Sequence, residues 1–308
     1  MNFTEKIKNE IISEKISSPC CKLAALSAYL RTAGTIEIHN GNIGFSFSGD
    51  VKTNEFFSDI VKTLYGFEPE VFIDQKGERT KAVFISDKTV QVLKDAETIK
   101  ISKGGLDIEL GISDLLVKKR CCQKAYIKGA FLGAGSVTVP KMKSDKATGY
   151  HVEFVFSKYL SALDFCHILG VNGLESKLIE RKDLFVVYSK SSEEICDLLV
   201  TMGAKKCCLE LQDIIVKKMV KNNTNRIVNC EMSNMSKQIN ASLKAKNDIL
   251  TISDVLGLDN LPLPLKTVAE ARLEFPEDTL SRLSERLNIT KSCLSHRLKR
   301  LSEIADQL

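Results

Sequence analysis

CCKLAALSAYLRTAGTIEI at residues 20–38 and CCQKAYIKGAFLGAGSVTV at residues 121–139 are two stretches of one chain that align without gaps. Both begin with adjacent cysteines, continue as an apolar helical pattern, and reach an Ala-Gly pair before a β-branched run. Similarity at a fixed offset is the signature of an internal repeat. The sequence therefore predicts two related halves, at about residues 20–100 and 121–203.

The sequence downstream of these stretches supports the same repeat. The segment FSFS at 45–48 resembles EFVFS at 153–157, and both are short runs rich in aromatic residues. Such runs, bounded by turn or charged residues, predict strands, and Asn40-Gly41 predicts a hairpin turn between the first two strands. Each copy therefore predicts the order helix, strand, strand, helix, strand, strand, helix.

Small residues recur every four positions in the first helix of each copy. They are Ala24, Ala28 and Thr32 in the first copy and Ala125, Gly129 and Gly133 in the second. A ridge of small residues lets two helix backbones approach closely, so we expect the two helices to pack on each other about a pseudo-two-fold axis. The alternative is that the small residues only relieve crowding against a sheet. A glycine follows each helix, Gly34 or Gly135, for which we expect the left-handed backbone of a helix C-cap.

The composition of the 308-residue chain is that of a globular protein, with 44% hydrophobic and 27% charged residues. It excludes a disordered chain and a disulfide-stabilised miniprotein. No apolar run approaches the roughly 18 residues of a membrane span, and the polar N-terminus MNFTEKIKNE does not resemble a signal peptide. We therefore expect a cytoplasmic protein of about two domains that has no membrane partner.

Ten cysteines are present, and six of them form the adjacent pairs Cys20-Cys21, Cys121-Cys122 and Cys207-Cys208. There is no C-x-x-C motif, and the four histidines are scattered. Zinc sites usually draw on spaced ligands that converge on a tetrahedron, and these cysteines are not predicted to converge. We interpret them as small buried apolar side chains and expect neither a metal site nor a cofactor.

Positive charge is concentrated in residues 216–246, which carry a net charge of +6, whereas the rest of the chain carries −1. A localised basic segment indicates a polyanionic partner, although a solvated lysine face is the alternative. We assign phosphate contacts to Lys221, Arg226 and Lys237. Six asparagines in the same segment would either cap helices or bind DNA, and the candidates for further DNA contacts are Asn225, Asn229 and Asn234.

The last 34 residues carry two short helical patterns separated by a turn. We expect a helix at 264–274 and Pro276 in the first turn of the next helix. Leucines form one apolar stripe at 280, 283 and 287 and another at 294, 298 and 301, and Thr290 between them is a candidate N-cap. This order predicts a helix-turn-helix at about 275–308.

The second helix of this motif has no acidic residue between Lys291 and Ser302. Ser292, His296 and Lys299 lie opposite the leucine stripe, so we assign them to base edges in the major groove. Lys291, Arg297 and Arg300 flank that face, so we assign them to phosphates. The alternative is an ordinary basic amphipathic helix.

The first helices of the two copies resemble those of LAGLIDADG homing endonucleases, through LSAYLRTAGTI at 26–36 and IKGAFLGAGSV at 127–137. The resemblance implies that two αββαββα halves join through these helices. In the nucleases an acidic residue before the final glycine binds a divalent metal, and paired carboxylates support two-metal cleavage. Here Ala33 and Ala134 occupy those positions, and a second common acid is replaced by Arg31 and Leu132. The resemblance therefore implies a retained fold without catalytic residues.

Three blocks in this order resemble the bacterial WhiA family over essentially the whole chain: the two motif helices, NRIVNCEMSNMSKQI at 225–239, and the segment 272–301, which begins RLEFP. The resemblance implies a nucleoid-associated protein that binds double-stranded DNA and regulates transcription in cell division, chromosome segregation and, in spore formers, sporulation. It also implies a protein partner in transcription or division. In actinobacterial relatives this partner is an iron–sulfur protein of the WhiB type, which nothing in this sequence indicates.

The expected fold class is α+β, with a pseudo-two-fold double αββαββα module followed by an all-α helix-turn-helix domain. The expected boundaries are 1–205 for the degenerate LAGLIDADG-like domain, 206–221 for a linker helix and 222–308 for the DNA-binding domain. Two other function classes remain open at this point. One is a protein-interaction scaffold whose N-terminal module binds a partner, and the other is an active LAGLIDADG nuclease, against which Ala33 and Ala134 argue.

Overall fold

The computed structural model describes residues 2–39, 42–73, 79–102, 105–140 and 149–308. The chain divides into two compact units, Met1–Lys218 and Met219–Leu308. The first unit contains both copies of the repeat, and the second contains the predicted helix-turn-helix. Each unit is described separately below.

The first copy of the repeat has the predicted order of elements. They are α2 (Pro19–Ala33), β1 (Gly34–His39), β2 (Asn42–Asp50), α3 (Val51–Tyr65), β3 (Glu70–Ile73), β4 (Arg79–Phe84) and α4 (Thr89–Asp95). The strands form an antiparallel sheet in the order β1-β2-β4-β3. The predicted turn residues Asn40 and Gly41 lie outside the described residues, but the strands on either side of them pair with His39 opposite Asn42.

The second copy repeats this arrangement. Its elements are α6 (Arg120–Ala134), β7 (Gly135–Thr138), β8 (His151–Phe156), α7 (Tyr159–Val171), β9 (Lys177–Arg181), β10 (Leu184–Ser189) and α8 (Ser192–Thr201). Its sheet has the order β7-β8-β10-β9, which is equivalent to that of the first copy. The structure therefore confirms the predicted repeat and the α+β fold class.

In the first unit, the elements that precede and connect the two copies were not predicted. They are α1 (Phe3–Ser13), the hairpin β5 (Ile99–Ser102) and β6 (Gly105–Ile108), and α5 (Asp114–Val117). In α1, Asn2 and Glu5 form a capping box, in which the Glu5 backbone N–H donates to the Asn2 side chain at 2.8 Å. Ile7 and Ile11 lie one turn apart on this helix and are buried in the core. The polar N-terminus is therefore part of the folded unit.

The two motif helices, α2 and α6, pack directly on each other, as the small-residue pattern predicts. A methyl group added at Gly129 would collide with the backbone carbonyl of Ala25, and one at Gly133 would collide with the Thr32 side chain. The glycines are therefore required because the partner helix occupies the space of a side chain. This contact rules out the alternative that the small residues only relieve crowding against a sheet.

The expectation of left-handed caps at the ends of these helices is wrong. Gly34 has φ −88° and ψ 153°, and Gly135 has φ −84° and ψ 141°, so each helix leads directly into an extended strand. A Cβ at Gly34 would lie 2.5 Å from the carbonyl oxygen of Leu30, which is an impossible contact. Gly34 is needed because the strand leaves the helix at a tight angle.

Aromatic residues fill the core of the first half. Tyr29 of α2 stacks on Phe57 of α3 with ring centroids 3.8 Å apart, and its hydroxyl donates to Asn54 at 2.8 Å. Phe45 and Phe47, which alternate on β2, lie on the same face of the sheet and are fully buried. Burial of these rings between helix and sheet accounts for the two-layer form of each half.

The second unit is helical. A long helix, α9 (Lys205–Val255), begins in the first unit and ends in the second, where it is followed by a short 3₁₀ helix (Leu258–Asn260), α10 (Leu263–Glu274), α11 (Leu280–Arg286) and α12 (Lys291–Ala305). The core of this unit is small. Its buried apolar residues are Ile249, Ile252, Val268, Ala269, Leu283, Leu294 and Leu301.

Three details of the predicted helices change. The predicted linker 206–221 is the first part of α9, which continues without a break through the asparagine-rich segment. The asparagines are therefore not helix caps. Pro276 was expected in the first turn of a helix, but α11 begins only at Leu280, with Thr279 as its N-cap.

Within the described residues, no helix is both long and apolar enough to span a lipid bilayer.

Candidate nucleic-acid interface

The turn between α11 and α12 is fixed by the local sequence. Asn288 has φ +51°, a left-handed conformation that asparagine tolerates better than most residues. The Ile289 backbone N–H then donates to the Ser284 carbonyl at 3.0 Å and reverses the chain. Thr290 caps α12 by accepting from the Cys293 backbone N–H at 3.2 Å. The predicted N-cap is confirmed. Four residues, 287–290, separate the two helices, whereas the sequence predicts a turn of three, Asn288 to Thr290.

One face of α12 is packed and the opposite face is open. Leu294 and Leu301 are fully buried in the core of the second unit. Ser292, His296 and Lys299 are all exposed, and at about 100° per residue they fall within about 60° of one another. The structure therefore brings the three residues assigned to base edges onto one accessible face. Whether they contact bases stays a prediction.

The residues assigned to phosphates differ in their exposure and in their hydrogen-bond partners. Lys291 and Arg300 are exposed, whereas Arg297 is half-buried and its guanidinium lies 3.5 Å from the Pro264 carbonyl of α10. Arg300 donates to Glu303 at 2.9 Å. Arg300 must therefore leave a carboxylate in order to reach a phosphate, a competition that the acid-free stretch 291–302 did not indicate.

Glu303 lies on the same arc of α12 as His296 and Lys299, because it follows Lys299 by four residues. The hydrogen bond from Arg300 lowers the pKa of Glu303, and the nearby charges of Lys299 and His296 lower it further. The open face of the helix is therefore basic over its first three turns and carries one carboxylate at its C-terminal end.

The loop that precedes α11 is held by a buried arginine. Arg272 of α10 is 2% exposed and donates to the Asp278 carbonyl at 2.7 Å. The Asp278 carboxylate in turn accepts from Arg286 at 2.5 Å, and the Arg286 guanidinium lies 4.0 Å from the Phe275 ring centroid. Burial lowers the pKa of Arg272, and Asp278 opposes that shift. This network fixes α11 relative to α10 and so supports the position of α12.

The second candidate surface is the middle of α9. Every residue from 221 to 241 is exposed, including the predicted phosphate contacts Lys221, Arg226 and Lys237 and the asparagines at 225, 229 and 234. The same stretch exposes several large apolar side chains: Ile227, Val228, Met232, Met235 and Ile239. Basic, amide and apolar groups therefore share one helix, and every residue of this stretch is exposed within the part of the chain that the structure describes.

The residues before Gly34 and Gly135, where the nucleases carry a metal-binding acid, are both alanine. Ala33 and Ala134 are half-buried there and offer no ligand atom. The Arg31 guanidinium donates to the Glu109 carbonyl at 2.7 Å and also to that of Glu97. Lys8 of α1 donates to the Leu132 carbonyl of α6 at 2.8 Å. Lys8 thus binds a carbonyl at the end of α6, and Arg31 places a positive charge in the last turn of α2, although its hydrogen bonds go to other segments.

The opposite ends of α2 and α6 bring four cysteines together. The sulfur atoms of Cys20, Cys21, Cys121 and Cys122 all lie within 4.8 Å of one another. The expectation that the cysteine pairs do not converge is therefore wrong. Each pair lies in the first turn of its helix, and the helices begin side by side about the pseudo-two-fold axis. Among the residues that the structure describes, these four form the only group of three or more His, Cys, Asp or Glu side chains close enough to share a metal ion.

The four thiols differ in exposure and acidity. Cys21 and Cys122 are buried, and Cys20 and Cys121 are exposed. Burial raises the pKa of Cys21 to about 12 and that of Cys122 to about 11. The pKa of Cys20 is lowered, first because it is hydrogen-bonded to Cys122 and also by the charge of Lys119. The cluster therefore has two buried, neutral thiols, Cys21 and Cys122, and two thiols that face solvent, Cys20 and Cys121.

Comparison with sequence models of protein families gives three matches that together cover most of the chain. Residues 19–99 match the WhiA N-terminal LAGLIDADG-like domain, residues 123–221 the WhiA LAGLIDADG-like domain, and residues 224–305 the WhiA C-terminal HTH domain. The first match covers the first copy of the repeat, the second covers the second copy and the first part of α9, and the third lies in the helical unit.

Curated relatives match over the whole chain. A protein of Thermoanaerobacter pseudethanolicus named "Probable cell division protein WhiA" is 35% identical over 100% of this chain and 98% of its own length. One of the same name from Clostridium tetani is also 35% identical, with the same coverage. Among solved structures, "full-length DUF199/WhiA from Thermatoga maritima" is 22% identical and has a TM-score of 0.60, covering 100% of this chain and 99% of that one.

Proposed function

The chain belongs to the WhiA family, and from this premise we propose that it is a sequence-specific double-stranded-DNA-binding protein that reads base edges with α12. The observation that carries the proposal is the open face of this helix. Ser292, His296 and Lys299 project from a helix whose opposite face is locked into a core. A recognition helix needs this combination, because only a rigid helix places side chains reproducibly against base edges.

The phosphate contacts would come from two places. Lys291 and Arg300 border the reading face of α12, and Lys221, Arg226 and Lys237 lie on the exposed part of α9. Contacts of this kind supply most of the affinity and its salt dependence, but they carry no sequence information. Asn225, Asn229 and Asn234 would add neutral hydrogen bonds to the same strands, because an amide both donates and accepts.

The biological role that we infer is transcription regulation in cell division. It is supported by the name of the relatives, "Probable cell division protein WhiA", and by the helix-turn-helix match. A protein of this kind would act in the cytoplasm, bound to the nucleoid. Roles in chromosome segregation and sporulation, and a protein partner such as the WhiB type, stay predictions from the family resemblance.

We infer no nuclease activity. Alanines stand at both positions where the nucleases carry a metal-binding acid, and Arg31 and Lys8 donate to carbonyls near the same helix ends. Two-metal cleavage needs carboxylates that clamp the cations, whereas these groups repel them. The LAGLIDADG-like module then serves as a folded platform.

The test of the proposal is selection of bound duplexes from a random DNA library with the full-length protein. We expect one enriched motif, because reading by three side chains excludes most sequences. The same selection with His296→Ala and with Lys299→Ala should lose information at one or two base pairs. Lys94→Ala, which removes an exposed lysine of α4, is the charge-matched control and should leave the motif unchanged. Selection that enriches no motif contradicts sequence reading.

A protein-interaction scaffold is the second candidate, and one observation favours it. Met232, Met235 and Ile239 are each more than half exposed on α9, and exposed apolar side chains in a row are typical of helix-in-groove recognition. Changing Met232 and Met235 to Ser should leave DNA affinity intact, because neither side chain is charged. If DNA is the only ligand of α9, cells that carry the change should also be unaffected. A defect in cells without a defect in DNA binding would favour the scaffold.

A further inference from the structure

We propose that Cys20, Cys21, Cys121 and Cys122 form a tetrathiolate site for one Zn²⁺ ion. The site lies at the N-terminal ends of α2 and α6, at the opposite end of the helix pair from Ala33 and Ala134. It is independent of DNA binding by α12. Four thiols are a complete ligand set for a structural zinc site, which is normally four-coordinate.

The spacing of the sulfur atoms suits a single ion. Zinc–thiolate bonds of about 2.3 Å in a tetrahedron put the sulfurs about 3.8 Å apart. The four sulfurs here all lie within 4.8 Å of one another, so closure needs movements of about 1 Å or less, which rotation about the Cα–Cβ bonds supplies. An iron–sulfur cluster distributes its thiolates over two or more irons and needs a wider arrangement than this one.

The two copies contribute equally to the site. Cys20 and Cys121 are equivalent in the repeat, as are Cys21 and Cys122. Each copy therefore supplies one exposed and one buried sulfur. Adjacent cysteines on one helix diverge by about 100° and so cannot enclose an ion alone. Two such pairs facing each other across a two-fold axis approach the ion from both sides.

The surroundings favour the charge that the bound site would carry. Binding one Zn²⁺ displaces the four thiol protons to solvent and leaves a net charge of −2. The N-terminal ends of two helices point at the cluster, and their positive dipole ends stabilise thiolate. Basic residues flank both cysteine pairs in the sequence: Lys22, Lys118, Lys119, Arg120 and Lys124. The exposed sulfurs leave an entry path for the ion.

The experiment uses the full-length protein, purified under anaerobic reducing conditions and freed of metal. Titration with Co²⁺ should give the intense d–d and sulfur-to-metal charge-transfer bands of tetrahedral thiolate coordination, and Zn²⁺ should abolish them at one equivalent per chain. Cysteine alkylation read by mass spectrometry should show that Zn²⁺ protects these four residues. This measurement needs no variant, so it stands even if a variant fails to fold.

The variants Cys20→Ser and Cys121→Ser change the exposed pair and should each abolish the one-equivalent endpoint and the tetrathiolate spectrum. The matched control is Cys230→Ser, an exposed cysteine of α9, which should bind as the unaltered protein does. Absence of stoichiometric zinc binding, or protection of a different set of cysteines, overturns the proposal. So does a disulfide within the cluster that persists in reductant and blocks the metal.

Discussion

Two helices of equal length, α6 and α12, differ in how much of their surface is buried. Each has 15 residues, but eight side chains or glycines of α6 are buried, whereas only Leu294 and Leu301 of α12 are. In α6 about half of the positions are constrained by neighbours, including Gly129 against Ala25. In α12 the packed stripe fixes the helix, and Ser292, His296 and Lys299 on the opposite face are exposed. The difference teaches where function can be sought in this chain.

The same difference explains what the resemblance to nucleases retains. The glycines of α6 are needed because α2 lies against them, whereas Ala134, at the position of the nucleases' acid, is only half-buried. A motif can therefore persist for reasons of fit after its chemistry has gone. For α12 the reverse holds, since no packing requirement explains exposed basic residues along one face.

The largest expected effect is on the closely packed helix. Gly129→Ala should destabilise the first unit by about 4 kcal/mol or more, because the new methyl meets a backbone carbonyl that cannot rotate away. Urea denaturation followed by circular dichroism, with hydrogen exchange of the α2 and α6 amides, measures it. Gly170→Ala is the matched control, since a Cβ there meets nothing within 4 Å and alanine is the better helix former. Equal stabilities of the two variants would show that the helices are not in close contact.

The next effect is on the packed stripe of α12. Leu294→Ala should cost roughly 2–5 kcal/mol, because it leaves a cavity in a core of only a few side chains. Hydrogen exchange of the amides of α10, α11 and α12 is the measurement, and it separates this unit from the first. Leu263→Ala, at a leucine that is 75% exposed, should change little. Protection factors that stay unaltered in Leu294→Ala contradict the assigned core.

The reading face of α12 should give a smaller but qualitatively different effect. His296→Ala and Lys299→Ala should each reduce discrimination between the selected and a scrambled duplex by about 1–3 kcal/mol, with unchanged thermal stability. Titrations of each variant against both duplexes provide the numbers, and Lys94→Ala is again the control. If both variants keep full discrimination, α12 does not read sequence through this face.

The smallest effects concern charge alone. Arg300→Ala should weaken binding to specific and scrambled duplexes alike and reduce the salt slope by about one unit. Glu303→Gln frees Arg300 from its ion pair and should strengthen both by about two- to fivefold at low salt. Fluorescence anisotropy at several salt concentrations measures both. Weaker binding by Glu303→Gln would mean that the carboxylate positions Arg300 rather than competing with DNA.

The fold was largely predictable because its two halves repeat. Small residues on α2 and α6 predict their contact, and alternating aromatic residues predict the strands. The turn at Thr290 was also predictable, because an N-cap depends on one residue and its next turn. Helix α1 had a usable signal in the capping box of Asn2 and Glu5, which a search for signal peptides does not detect.

Other features depend on contacts that a local pattern does not contain. The cysteine cluster is invisible to a search for C-x-x-C, because two sequence-distant pairs create it. Its signal was nevertheless present, since the same repeat that predicts the helix contact also brings Cys20-Cys21 beside Cys121-Cys122. Gly34 is extended rather than left-handed because the strand begins directly at the helix end. Glu303 was missed because the acid-free stretch ends one residue before it.

The exposure of residues 221–241 has a consequence for local unfolding of α9. Every residue from 221 to 241 is exposed in the described structure, whereas both ends of the helix contribute to a core through Leu211 and Ile249. Local opening in the middle therefore exposes little buried surface, and its main cost is the boundary between helix and coil. Amides of this stretch should exchange with solvent far faster than those at either end. A ligand that neutralises Lys221, Arg226 and Lys237 would then slow that exchange, which makes this stretch a built-in reporter of polyanion binding.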